Sequence, residues 1–139
     1  MATGNISNAN SNDGIGLGNG CLAFNNVTAS NTWYGIWSWD GCTVLNNNCC
    51  YNKYGIYVEG AGGLISGNTV RESGSGDIYV KGAQNVMEGN LVTSSTYGIY
   101  FETSGNFYVN NRASQNTTNF AGPGKPAGSP GDGGGNVGF

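Results

Sequence analysis

The feature that most constrains this chain is a repeat of about 21 residues. One column of isoleucines recurs with spacings of 21, 20, 22 and 21 residues: Ile15, Ile36, Ile56, Ile78 and Ile99. A column of asparagines recurs in step with it: Asn5, Asn26, Asn48, Asn68, Asn90 and Asn111. Self-similarity at a fixed short period is typical of solenoid proteins, in which each repeat stacks on the previous one.

A single repeat predicts three short strands. The coil over 48–67 contains extended runs at 49–51, 55–59 and 63–66, which clusters of Gly or Asn separate. None of the runs is long enough for a helix, and none has a 3.6-residue period. The sequence therefore predicts an all-β fold: a right-handed, single-stranded parallel β-helix of about five to six coils, with about 21 residues and three short strands per coil.

The asparagine column predicts a ladder of side-chain amides. An Asn at the same corner of every coil can bond to the coils above and below it, as in other stacked β-structures. This pattern places the β-helix domain at 1–120. Three prolines and many glycines in 121–139 break the rhythm, so this segment is expected to be a C-terminal tail. Val137 and Phe139 suggest that its end docks on a neighbouring subunit.

Several motifs resemble those of a known family. Gly35-Ile36, Gly55-Ile56-Tyr57-Val58 and Gly98-Ile99-Tyr100-Phe101 look like the repeat of pectate-lyase-like and NosD-like proteins. The stretch 105–120 resembles the closing coil of bacterial secreted "right-handed parallel β-helix repeat-containing" proteins. The resemblance implies the fold and an extracellular or cell-surface location, but no particular activity.

Composition and motifs argue against several classes of function. The net charge is −3 and the five basic residues are scattered, so no nucleic acid partner is expected. No apolar run approaches 18 residues, so no membrane-spanning segment is expected. The chain has no histidine, and neither a metal nor a cofactor is expected. The lyases, polygalacturonases and epimerases of this fold carry catalytic motifs that this sequence lacks, so a non-catalytic role is favoured.

The cysteines leave two interpretations open. Cys21 and Cys42 are one coil apart, so they could lie about 5 Å from each other on neighbouring strands. They could form a disulfide, or all four cysteines, including Cys49 and Cys50, could be small buried side chains of a narrow core.

One face of the predicted rod is rich in aromatic residues. Since strand residues alternate in direction, the residues after the inward Ile column point outward, and they include Trp37, Tyr57, Tyr79 and Tyr100. The next outward column contains Trp39, Glu59, Lys81 and Glu102, which predicts a salt-bridge ladder. The face could stack on sugars, stabilise the sheet or bind another subunit. The candidate carbohydrate ligands are Trp37, Trp39, Tyr57, Tyr79, Tyr100, Glu59 and Glu102.

A second face has two neighbouring apolar columns, of which a strand can point only one inward. The inward column is expected to be Ala23, Leu45, Ile65, Met87 and Tyr108. The other column then forms an exposed apolar stripe and a candidate oligomer interface: Leu22, Val44, Leu64, Val86 and Phe107. Such patches mark binding or assembly, and a homotrimer is the first assignment. A bulge or corner that buries both columns is the alternative.

Three functional hypotheses follow from the sequence. The first is a non-catalytic extracellular β-helix module that self-assembles as a structural or adhesive scaffold. The second is a carbohydrate-binding module that binds polysaccharide on the aromatic ladder. The third is a fragment of a polysaccharide-processing enzyme or tailspike that lacks its catalytic coils.

Overall fold

The chain forms a stack of coils bounded by three parallel sheets. A computed structural model describes residues 1–124 and 135–138. Sheet A contains β1 (Ala2–Thr3), β4 (Leu22–Phe24), β7 (Thr43–Leu45), β10 (Leu64–Ser66), β13 (Val86–Glu88) and β16 (Phe107–Val109). Sheet B contains β2 (Ile6–Asn8), β5 (Val27–Ala29), β8 (Asn48–Cys50), β11 (Thr69–Arg71), β14 (Leu91–Thr93), β17 (Arg112–Ser114) and β19 (Val137–Gly138). Sheet C contains β3 (Ile15–Leu17), β6 (Tyr34–Ser38), β9 (Tyr54–Val58), β12 (Gly76–Val80), β15 (Tyr97–Phe101) and β18 (Thr118–Ala121).

Each coil contributes one strand to each sheet, in the order A, B, C, which gives coils 1 to 6. The strands pair in parallel with the next coil, and Ile36, Ile56, Ile78 and Ile99 are aligned and fully buried. The predicted parallel β-helix with three short strands per coil is confirmed. Among the described residues, no helix is long and apolar enough to cross a membrane.

Residues 135–138 in the C-terminal region pack against the last coil of the stack. β19 pairs with β17, and the side chain of Asn136 bonds Asn111 of the same chain. The predicted tail, 121–139, therefore includes residues that continue sheet B within their own chain. Phe139 and residues 125–134 lie outside the described residues.

The amide ladder runs along the corner between sheets A and B. Each amide oxygen accepts hydrogen bonds from the backbone N–H and the side-chain Nδ2 of the previous coil, at 2.9–3.0 Å. The ladder consists of Asn5, Asn26, Asn47, Asn68, Asn90, Asn111 and Asn136. The prediction of Asn48 was wrong. Asn48 begins strand β8 and is exposed, whereas the corner residue is Asn47, immediately before the strand.

A second ladder runs along the corner between sheets B and C. Asn10 donates to Asn31, Asn31 donates to Asn52, and Ser95 donates to Asn116 through its backbone N–H. Coils 4 and 5 carry Ser73 and Ser95 at this corner instead of Asn. The 21-residue spacing of Asn10, Asn31 and Asn52 was the signal that could have revealed this ladder from the sequence.

One of the two serines that replace Asn in the second ladder, Ser95, lies against a buried acid, Asp77. A Cβ on Gly35 would lie 2.5 Å from the carbonyl oxygen of Gly55, 2.6 Å from Oγ1 of Thr28 and 2.7 Å from Nδ2 of Asn52, so backbone, threonine and ladder amide together leave room only for glycine there. Asp77 occupies the corresponding position of coil 4, where the facing corner residue is the smaller Ser95. The Ser95 hydroxyl donates a hydrogen bond to Oδ1 of Asp77, whose side chain is fully buried. The serine and the aspartate therefore fit each other as a pair.

We expect Asn68→Ala to lower the free energy of unfolding by about 2–4 kcal/mol, because several buried hydrogen-bonding groups lose their partner. Asn68 accepts from Asn47 and donates to Val44 and Asn90. Urea denaturation measures the change. Asn48→Ala is the matched control and should change stability by less than about 0.5 kcal/mol, because Asn48 is exposed. Equal losses for the two variants would contradict the ladder assignment.

The buried carboxyl of Asp77 predicts a dependence of stability on pH. Burial raises the pKa of Asp77 from 3.8 to about 7. Because the folded state disfavours the ionised form, the free energy of unfolding should fall as the pH rises from about 4 to 7. The expected loss is about 4 kcal/mol, because one unit of pKa shift corresponds to about 1.4 kcal/mol.

Asp77→Asn should remove this pH-dependent component and be more stable than the wild type at pH 8. Urea denaturation at several pH values compares the two proteins. Asp40→Asn, at an exposed turn, controls for the change in net charge. The same pH slope in the wild type and in Asp77→Asn would show that the carboxyl carries no such penalty.

Candidate functional site

The outward face of sheet C carries the predicted aromatic column. Parallel pairing aligns Gly16, Trp37, Tyr57, Tyr79 and Tyr100 in successive coils. The four aromatic side chains are half-buried. The structure thus brings together four of the seven candidate carbohydrate ligands in one continuous column.

The tyrosines of this column stack on one another. The ring centroids of Tyr57 and Tyr79 are 5.1 Å apart with an interplanar angle of 2°, and those of Tyr79 and Tyr100 are 4.9 Å apart at 14°. Parallel rings at this distance overlap in an offset stack, because rings side by side in one plane would collide. Part of each ring face is therefore covered by the neighbouring tyrosine, which supports the sheet-stabilising interpretation for the middle of the column.

A second group of tyrosines packs beside the first. Tyr34 and Tyr54 are aligned in register, and Tyr97 lies further along the same column, beyond Gly76. Tyr34 contacts Tyr57 with centroids 4.5 Å apart, and Tyr54 meets Tyr79 edge to face at 5.3 Å. Together, the aromatic rings form a closely packed outer layer on sheet C.

The charged column lies beside the aromatic rings. The backbone hydrogen bonds place Trp39, Glu59, Lys81 and Glu102 in successive coils. Lys81 forms an ion pair with Glu59, and Glu59 raises the pKa of the Lys81 ammonium. Glu102 instead accepts a 2.9 Å hydrogen bond from the Tyr79 hydroxyl. Of the predicted salt-bridge ladder, the described residues form only the Glu59–Lys81 ion pair. The Glu102 carboxylate binds the Tyr79 hydroxyl instead of Lys81.

The face has an open step at its N-terminal end. Trp37 and Trp39 lie on the same strand side with ring centroids 5.4 Å apart and an interplanar angle of 60°. The coil beneath them has Gly16 and Gly18, and a Cβ at either position would meet nothing within 4 Å. Trp39 is 41% exposed. This tryptophan step, formed by Trp37 and Trp39 above Gly16 and Gly18, was not predicted from the sequence.

Two carboxylates, those of Asp13 and Glu59, lie near the Tyr34 phenol. Oδ1 of Asp13 accepts a hydrogen bond from the backbone N–H of Tyr34. Burial raises the pKa of the Tyr34 phenol, and the carboxylates of Asp13 and Glu59 raise it further. Burial and then Glu59 likewise raise the pKa of Tyr57 to about 12. These phenols remain neutral hydrogen-bonding groups at ordinary pH.

The apolar stripe lies on sheet A, with one correction. The register aligns Leu22, Thr43, Leu64, Val86 and Phe107 on the outward side. Val44 was wrongly assigned to this stripe, and Leu45 wrongly to the core. Val44 is fully buried, because a shift of one residue along a strand moves a side chain to the opposite face. The other four stripe residues lie where they were predicted.

The cysteines do not pair. All four are free, with Cys21 half-buried and Cys42, Cys49 and Cys50 buried. The thiol of Cys42 lies 3.0 Å from the carbonyl oxygen of Gly18. Within the described residues, no group of three or more His, Cys, Asp or Glu could hold a metal ion.

The stacked coils and their ladders agree with comparison to known families. A family model described as "Right handed beta helix region" matches residues 54–137, which is more than half of the chain. The chain belongs to the right-handed β-helix family. No curated protein and no solved structure shows significant similarity to it. The family fixes the fold and the handedness and leaves the function of the outer faces to be argued from the residues on them.

The overlap of the tyrosine rings predicts a measurable contribution to stability. We expect Tyr79→Ala to lower the free energy of unfolding by about 2 kcal/mol, because the ring contacts with Tyr54, Tyr57 and Tyr100 and partial burial are lost. Tyr79→Phe, which loses only the bond to Glu102, should cost less than about 1 kcal/mol. Guanidinium denaturation followed by circular dichroism measures both, with Tyr51→Ala as a control at a 54% exposed tyrosine. A loss for Tyr79→Ala no larger than that of the control would mean that the stack contributes nothing.

Proposed function

We propose that this protein is a non-catalytic scaffold module that self-associates through the outward face of sheet A. Of the ten outward positions in β4, β7, β10, β13 and β16, seven are apolar: Leu22, Phe24, Leu45, Leu64, Val86, Phe107 and Val109. Glu88 is the charged residue among the ten. This concentration of apolar side chains on one outward sheet face is the observation that carries the proposal.

A second copy of the chain is the occupant that suits this face. The face is nearly uncharged, so sheet A of another copy can pack against it through apolar contacts without repulsion between like charges. A standard interface takes roughly 800 Å² from each partner, which is about one-seventh of the 5933 Å² accessible surface. One side of a three-sided rod is large enough to supply this area.

The proposed assembly is a homotrimer in which three rods pack side by side around a common axis. Phe107 is 58% exposed at the C-terminal end of the face and would lie in the contact. The proposed extracellular location and the structural or adhesive role rest on the resemblance to secreted β-helix repeat proteins. The absence from the sequence of the catalytic motifs of enzymes with this fold supports the non-catalytic role.

Multi-angle light scattering across a range of protein concentrations tests the proposal. We expect a mass of three chains for the wild type and a shift toward one chain for Leu64→Lys, which places a charge in the centre of the face. Thr69→Lys adds the same charge on the neighbouring sheet B of the same coil and should leave the mass unchanged.

Three other outcomes would contradict or correct this assembly. A wild-type mass of one chain at the highest concentration would exclude self-association. A mass of two chains would support the face as an interface and correct the trimer to a dimer. Equal dissociation of Leu64→Lys and Thr69→Lys would place the contact elsewhere on the rod.

A further inference from the structure

The tryptophan step differs from the rest of the aromatic face in what covers its rings. In the middle of the column, each tyrosine ring overlaps the ring of the next coil. In the preceding coil, Gly16 pairs in register with Trp37. Gly18 lies two residues further along that coil, next to Trp39. No atom lies within 4 Å of a Cβ built on either glycine. No side chain of the preceding coil therefore lies in register beneath Trp37, and the Cβ position of Gly18 is open as well.

The two indoles form an angled apolar surface bordered by polar groups. Their rings are inclined at 60° to each other, so they enclose a notch rather than a flat plate. The ring centroids of Tyr34 and Trp37 are 6.3 Å apart. Glu59 lies next to Trp39 in the following coil. A sugar ring has a face of C–H groups and a rim of hydroxyl groups. Aromatic walls with a few hydrogen-bond acceptors at their edge match both features.

The charge around the step selects among saccharides. Asp13 and Glu59 both lie close enough to Tyr34 to raise the pKa of its phenol, and Oδ1 of Asp13 accepts a hydrogen bond from the Tyr34 backbone N–H. Lys81 is paired with Glu59 and Lys53 lies over the Trp33 ring, so Asp13 is the carboxylate near Tyr34 whose charge no described ion pair offsets. A uronate, sulfate or phosphate group would be repelled, whereas the hydroxyl groups of an uncharged sugar can donate to the carboxylates.

We propose that the tryptophan step is a binding site for a neutral saccharide chain, with Trp37 and Trp39 as the stacking residues and Asp13 and Glu59 as the acceptors at its border. The site is separate from the proposed association face, because it lies on sheet C and the association face lies on sheet A. The Tyr57–Tyr100 part of the column acts mainly as a structural stack, so the ligand contacts concentrate at one end of the rod.

Intrinsic fluorescence and titration calorimetry test the site with defined probes. The probes are the neutral hexasaccharides of cellulose, xylan, mannan, chitin and laminarin, and the anionic hexamer of galacturonate. We expect at least one neutral hexasaccharide to bind and to change the tryptophan emission, and the galacturonate hexamer to bind at least about tenfold more weakly. Binding of no neutral probe, or binding of galacturonate as tightly as the best neutral probe, would overturn the proposal.

Two variants separate loss of the site from loss of the fold. Trp39→Ala should weaken binding at least about tenfold. Gly16→Tyr should weaken it as much by filling the step. The added ring extends the tyrosine column, so the urea midpoint should stay at or above that of the wild type. Gly16→Tyr with wild-type affinity would contradict the proposal.

Tyr100→Ala is the matched control at the other end of the column. We expect it to keep the affinity of the wild type within about twofold, even though it removes an aromatic ring from the same face. A loss as large as that of Trp39→Ala would overturn the assignment to the step and place the ligand along the whole ladder. Parallel titrations in the Leu64→Lys background show whether saccharide binding is independent of self-association.

Discussion

The amide ladder between sheets A and B is the interaction on which the rest of the structure depends. Between the two ends of the ladder, each amide oxygen accepts two hydrogen bonds from the previous coil, and each amide nitrogen donates both to the next amide and to a backbone carbonyl, as Asn68 does to Asn90 and Val44. The ladder thereby satisfies the buried polar groups of a sharp corner, where the β-ladder itself cannot. It also fixes the register between coils. The inward Ile column and the outward aromatic column can be continuous because that register is repeated.

The period of the sequence was sufficient to predict the parallel β-helix, because hydrophobic phase and corner residues repeat together. The register within a coil was harder to predict where neighbouring residues are alike. Asn46, Asn47 and Asn48 are consecutive, and the sequence alone did not distinguish the corner residue from the first residue of β8. Val44 and Leu45 are both apolar, so hydrophobicity did not show which points inward. Backbone pairing between coils decides both cases.

The sequence predicted which residues of the candidate sites point outward, but not how their side chains contact one another. Alternation along the strand placed Trp37 and Tyr79 on the outside, and it predicted that Lys81 and Glu59 would be neighbours. It did not predict the overlap of the tyrosine rings or the bond from Tyr79 to Glu102, since both depend on side-chain rotamers chosen by contacts between coils. The open step was missed for a related reason. Glycine signals conformational freedom in a sequence, whereas Gly16 matters here through the side chain it lacks.

The change from Asn to Ser in the second ladder has a consequence for how the rod comes apart. In a solenoid, each coil contacts only its neighbours, so stability is roughly a sum of terms between adjacent coils. Among the described hydrogen bonds, the side chain of Asn52 accepts from Asn31 and donates to Thr28, both in coil 2. Ser73 thus leaves the junction of coils 3 and 4 with one side-chain ladder where the earlier junctions have two. The Tyr57–Tyr79 stack and the Glu59–Lys81 ion pair join the same two coils, so separating coils 3 and 4 has to break contacts on the outer face of sheet C in place of a second buried ladder.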